Sequence, residues 1–189
     1  MKRSLIAGLV LVLTSCVSSP DPEVGIPLDA SEDTPYYTVY QKVSADYEVI
    51  DNFSTKHQVH ITHLTSEFRS ALAQRYESVF NEPQPLLGEA SQQTGFFVSL
   101  FAANNNLIDL SDTQVWNVQL ETGGQSLKPS AIKHLKPKER WMPFFPSINV
   151  WSREYLVLFD LTPDQNPGSS KQGLRLVLSS PEGSVRSEW

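Results

Sequence analysis

The sequence predicts a mainly β domain, an antiparallel sandwich with one α-helix inserted at about residues 66–80. Three observations carry this. Short apolar–polar alternations recur along the chain with turn residues between them. One window, 66–80, stands out by spacing its apolar residues three and four apart. Strands and helices do not alternate as a parallel βαβ sheet requires. At 189 residues, 40% hydrophobic and 10% aromatic, the chain holds enough apolar side chain for one core.

The elements follow in order. Tyr36–Val43 and Tyr47–Asn52 read as β-prone segments, with Ser44-Ala45-Asp46 as a turn between them. His57–Leu64 is a strand with Val59 and Ile61 on one face and His60 and Thr62 on the other. Thr65 or Ser66 caps the helix, Phe68, Leu72, Tyr76 and Val79 or Phe80 form its apolar stripe, and Asn81 and Pro83 end it. Arg69, Gln74 and Glu77 fall on its wet face. Phe96–Ala102 is apolar on both faces, which predicts a central strand. Alternation then marks strands at 115–120, 155–160, 174–179 and 185–189. Gly123-Gly124 and Pro181-Glu182-Gly183 supply turns. The nearest architecture is immunoglobulin-like, by layout alone, since the antibody disulfide is impossible in a chain with one cysteine.

The first sixteen residues have a different character. Lys2 and Arg3 precede an apolar stretch from Leu5 to Leu13, too short to span a bilayer and of the length of a signal-peptide core. Leu13, Thr14, Ser15 and Cys16 follow, an aliphatic residue and two small ones before the chain's single cysteine. This quartet resembles the lipobox of bacterial lipoprotein precursors. The resemblance implies a diacylglyceryl group on the Cys16 thiol, cleavage between Ser15 and Cys16, and acylation of the freed amine. Two or more acyl chains hold a protein stably on a membrane where one does not. Val17 stands where an aspartate would imply inner-membrane retention, so the resemblance implies the outer membrane.

Three parts are expected: a signal peptide over 1–15, a lipidated acidic tether over 16–34, and one β-rich domain over 35–189. The tether is rich in Ser, Pro, Asp and Glu and spans roughly 24 Å as a flexible chain. The net charge is −6, and losing Lys2 and Arg3 makes it two units more negative. That balance excludes a nucleic-acid partner and a polybasic lipid-docking patch.

Candidate chemistry is sparse. His57, His60 and His63 recur at spacing three, which on a strand turns His60 away from the other two; His134 is distant in sequence. Partly exposed rings beside a strand are therefore expected, and no metal site or cofactor. The segment Trp141-Met142-Pro143-Phe144-Phe145-Pro146 with Trp151 has two readings. Trp141, Phe144, Phe145 and Trp151 form a rigid loop presenting rings to a partner, or the rings plug the end of the core. The latter is favoured. Lys128, Lys133, Lys136, Lys138 and Arg140 make the only basic run, able to meet an acidic partner or lipopolysaccharide phosphates but read first as a solvated loop. Asn104–Asn106 reads as a polar turn, and Asp109 and Asp112 match no calcium loop. Asn52-Phe53-Ser54 matches a glycosylation sequon only formally.

Nucleophile elbows, phosphate loops, Cys-x-x-Cys pairs and zinc-protease helices are absent from the sequence. Asp46, Asp51, Glu89 and Asp109 are too scattered to pair. The expected function is a non-enzymatic envelope lipoprotein whose sandwich binds a protein or supports an envelope assembly. A ligand-binding lipoprotein (small molecule, glycan or metal) and a lipid-anchored hydrolase are the alternatives.

Overall fold

The computed structural model of the chain describes residues 29–86, 92–161 and 173–189. The signal peptide, Leu13, Thr14, Ser15, Cys16, most of the tether and Glu89 lie outside them. Among the described residues no helix is long and apolar enough to cross a membrane.

Nine strands form two antiparallel sheets among the described residues. The first contains β1 (Ser44–Asp51), β2 (Ser54–His63), β3 (Thr94–Ala102), β6 (Ala131–His134) and β7 (Arg153–Phe159), in the order β1-β2-β3-β7-β6. The second contains β4 (Asn117–Thr122), β5 (Gln125–Leu127), β8 (Arg175–Ser180) and β9 (Gly183–Glu188), in the order β5-β4-β8-β9. The expected antiparallel sandwich is thus observed, and β3 is its central strand. The strand order supports the sandwich class and no finer type.

Two cores share the first sheet. Its inner face meets the second sheet through Val59, Ile61, Phe96, Val98, Leu100, Val118, Leu120, Leu176 and Leu178, all nearly inaccessible. Its outer face is covered by two helices, α1 (Thr34–Val43) and α2 (Ser66–Phe80), over Phe97, Leu156 and Leu158. The apolar residues on both faces of β3 therefore serve two cores. Helix α2 matches its expected span. The Thr65 side chain accepts a hydrogen bond from the Phe68 amide, and Asn81 ends the helix at φ 53° in the left-handed region. Its Phe68, Leu72 and Tyr76 are buried, each stabilising the fold by about 2 kcal/mol.

Four expectations are corrected. Residues 36–43 form a helix, not a strand. Asp33 caps it by accepting from the Tyr36 amide, Pro35 sits in its first turn, and Tyr36, Tyr40 and Val43 are buried at helical spacing. Ser44-Ala45-Asp46 opens β1 instead of turning the chain. The folded body begins before Pro35, since Ala30 is buried and Asp33 pairs with the buried Arg75 guanidinium at 2.7 Å. The basic run is not one solvated loop. It holds β6, paired with β7, and its Arg140 lies over the Phe80 ring and donates to the Tyr76 hydroxyl.

Candidate functional site

The histidines do not converge, as the strand alternation dictates. His57 and His63 point into the inner core, where His57 meets Trp116 edge-on and His63 stacks on Phe96. His60 points the other way, towards α1. All three are buried, contrary to the expectation of partly exposed rings beside a strand. His134 is exposed on β6 and stacks on Tyr155. Among the described residues no group of three or more His, Cys, Asp or Glu is placed to hold a metal ion.

The aromatic segment divides. Trp141, Phe144 and Phe145 are buried under the helices, with Phe145 stacked on Phe97 at 3.6 Å between centroids. They fill a core and are closed to a partner. Trp151 is different, with 70% of its surface exposed, and its neighbour Val150 is equally bare. The loop that carries them is firmly built. The Lys138 ammonium donates to the carbonyls of Asn149, Val150 and Ser152, and the Asn149 side chain accepts from the amides of Trp151 and Ser152.

Beside this loop, the outer face of the first sheet carries a polar row. Asp46 lies opposite His60, His60 opposite Ser99, and Ser99 opposite Glu154, across β1, β2, β3 and β7. Side chains in such register stand about 5 Å apart on one face. His60 Nδ1 bonds the Asp46 carboxylate, and its Nε2 meets the Tyr40 hydroxyl at 2.6 Å. Glu154 accepts from the Ser152 hydroxyl at 2.6 Å. Burial pushes the Glu154 carboxyl above its ordinary range and raises the Tyr40 hydroxyl to about 12, so the phenol stays protonated.

The row borders a groove of about 340 Å³. The first sheet lines it with Asp46, Glu48, His60 and Ser99, and the Trp151 loop with Asn149 and Ser152. Its size is that of a small-ligand pocket, yet its lining mixes polar and apolar surface where such pockets are mostly apolar. The Asp46–His60 pair has the orientation of a base and its positioning carboxylate. The second ring nitrogen, however, faces the buried Tyr40 hydroxyl and not the open groove.

Comparison of the chain with protein-family models, with curated proteins and with solved structures finds no match.

Sequence reasoning missed the row because it exists only through strand register. Ser99 between Phe97 and Phe101, and Glu154 before an apolar run, were its only visible signs. The expected turns elsewhere are built from local side chains. Asn104 accepts from the Asn106 amide, Asp109 from Ser111 and Asp112 from the Gln114 amide. That chemistry accounts for their residue types without calcium.

Proposed function

We propose that the chain is a lipid-anchored protein of the bacterial cell envelope, held at the outer membrane through Cys16, whose sandwich binds a protein partner without catalysis. The lipobox-like quartet Leu13 to Cys16 supports the anchor, and the acidic balance supports a partner other than nucleic acid. The observation that carries the binding role is Trp151, exposed with Val150 on a loop fixed by Lys138. Tryptophan is the residue most enriched at binding hot spots, and a preorganised loop loses little entropy on association. The engagement of His60 with Tyr40 weighs against its use as a general base, and so against a hydrolase.

Two measurements test the two halves. Cys16→Ser should abolish labelling by a palmitate analogue and leave an unprocessed precursor. Labelling that persists in this variant removes the anchor. For binding, benzoylphenylalanine is placed at 151 or, as a control, at the exposed position 77 on α2. Irradiation in cells should give a discrete protein adduct from 151 and none from 77. The same adduct pattern from both positions removes the role of Trp151.

A further inference from the structure

We propose that the groove beside His60 receives a basic side chain of the protein partner, an arginine or lysine held by Asp46, Glu48 and Ser99. This rests on the protein-binding reading above and names the chemistry of the contact.

Asp46 and Glu48 stand two residues apart on β1, so both project to one face, roughly 7 Å apart. Each carboxylate uses one oxygen internally. Asp46 Oδ1 bonds His60 Nδ1, and Glu48 Oε1 accepts from Thr55 at 2.6 Å and from Gln58 at 3.2 Å. Those two hydrogen bonds hold the Glu48 carboxyl below its ordinary range, so it is ionised at neutral pH. The other oxygens, Oδ2 and Oε2, have no hydrogen bond to the described residues.

Ser99 gives an independent sign of a ligand. It is 97% buried and lines the groove, and no described side chain or backbone group bonds its hydroxyl. That hydroxyl opens on the groove, where an occupant can take up the hydrogen bond that the described residues do not supply.

The charges choose among occupants. No lysine or arginine lines the groove, and the two nitrogens of His60 are engaged by Asp46 and Tyr40. An anion would meet carboxylates with nothing to balance it, and an apolar group would strip them of water. A guanidinium or ammonium carries only donors, matching two open carboxylate oxygens and a hydroxyl. Trp151, exposed and between the lining residues Asn149 and Ser152 in the chain, offers its ring to the aliphatic stem of such a side chain.

The test uses the purified full chain in detergent and fluorescein-labelled Gly-Ser-Arg-Ser-Gly, read by anisotropy. Its companions replace arginine by the neutral isostere citrulline or by glutamate. The arginine peptide should bind about tenfold more tightly than the citrulline peptide and lose affinity with added salt. The glutamate peptide should not bind. Glu48→Gln should weaken the arginine peptide about tenfold with an unchanged melting curve, leaving the citrulline peptide unaffected. Ser99→Ala should weaken it also, and it leaves the Asp46–His60 pair untouched. Equal binding of arginine and citrulline peptides, no binding of either, or unchanged affinity in Glu48→Gln overturns the proposal. Displacement of the peptide by a neutral disaccharide at constant salt also overturns it, because the occupant is then a polyol. A crosslink from 151 that persists while the arginine peptide fails to bind sinks this inference alone. Loss of the crosslink removes the reading beneath it.

Discussion

His63 is packed between Phe96 and Trp189, and burial, then the positive charge of Arg69, pushes its pKa down to about 4. The folded chain keeps the ring neutral at a pH where the unfolded chain has already bound a proton. Stability present above the ordinary value of 6.5 is therefore lost as pH falls towards 4, by about 3 kcal/mol. His57, lowered mainly by burial with Glu182 opposing, acts in the same direction. Glu154 acts in the opposite one. Its raised pKa means that the fold favours the protonated acid, so it costs stability as pH rises above the ordinary 4.5. Urea melts at pH 7 and pH 4.5 separate these groups. His63→Leu should reduce the acid loss by about 2–3 kcal/mol, whereas Glu154→Gln should stabilise the domain at pH 7 and steepen the loss. An acid loss that His63→Leu leaves unchanged contradicts the His63 assignment, and one that Glu154→Gln leaves unchanged contradicts that of Glu154. The sequence showed which face each histidine takes, because strand alternation is local. It did not show their burial, which depends on Trp116, Phe96 and Trp189 arriving from distant segments.

At the scale of elements, what was legible followed from strong local signals. Helix α2 has a cap, an apolar stripe and a left-handed stop, all visible in the residues. Helix α1 was hidden because Tyr36, Tyr37, Thr38, Val39 and Tyr40 are strand-prone types, and tertiary contacts overrode that preference. Tyr36 and Tyr40 stack across one helical turn and meet Phe68, a contact no window of the sequence displays. Strand β6 was hidden because four residues inside a basic run give no period to read. Trp141, Phe144, Phe145 and Ile148 are buried under the same helical layer, so Phe145→Ala should cost about 3–5 kcal/mol in chemical denaturation. A loss under 1 kcal/mol would mean that the Phe97 stack contributes little. The β1–β2 turn holds a different balance. Asn52 and Phe53 both have positive φ, 48° and 61°, and the Phe53 ring is fully exposed. Glycine is the residue such a turn favours, so Phe53→Gly should stabilise the domain by about 1 kcal/mol. Strand pairing puts this turn at the end of the sheet from which the Trp151 loop leaves, since β3 brings Ala102 to His57 and Leu100 to Arg153. If Phe53 serves the partner, Phe53→Gly weakens the crosslink from 151 while raising the melting temperature. A variant that is more stable and crosslinks as before assigns Phe53 no part in binding.

For the whole molecule, the decisive feature is one sheet serving two cores. The inner core closes the sandwich, and the outer core exists only because α1 and α2 lie on the other face. The start of the fold is therefore set by whatever docks α1, not by where strand patterning begins. Asp33 does this twice, capping the helix and pairing with an Arg75 side chain that is 2% exposed and also donates to the Pro143 carbonyl. The described contacts begin with the Asp29 cap and buried Ala30. A chain begun at Asp29 keeps both roles of Asp33. A chain begun at Pro35 loses the cap, worth about 1 kcal/mol, and leaves a buried guanidinium without its carboxylate, at about 3 kcal/mol more. For a domain of this size that loss lowers the melting temperature by roughly 10 °C. Asp33→Asn in the full chain separates the two contributions, because asparagine still caps but no longer balances the charge. It should reproduce most of the drop. If the chain begun at Pro35 melts with the longer ones, α1 is held by its tyrosines alone and the ion pair contributes nothing net.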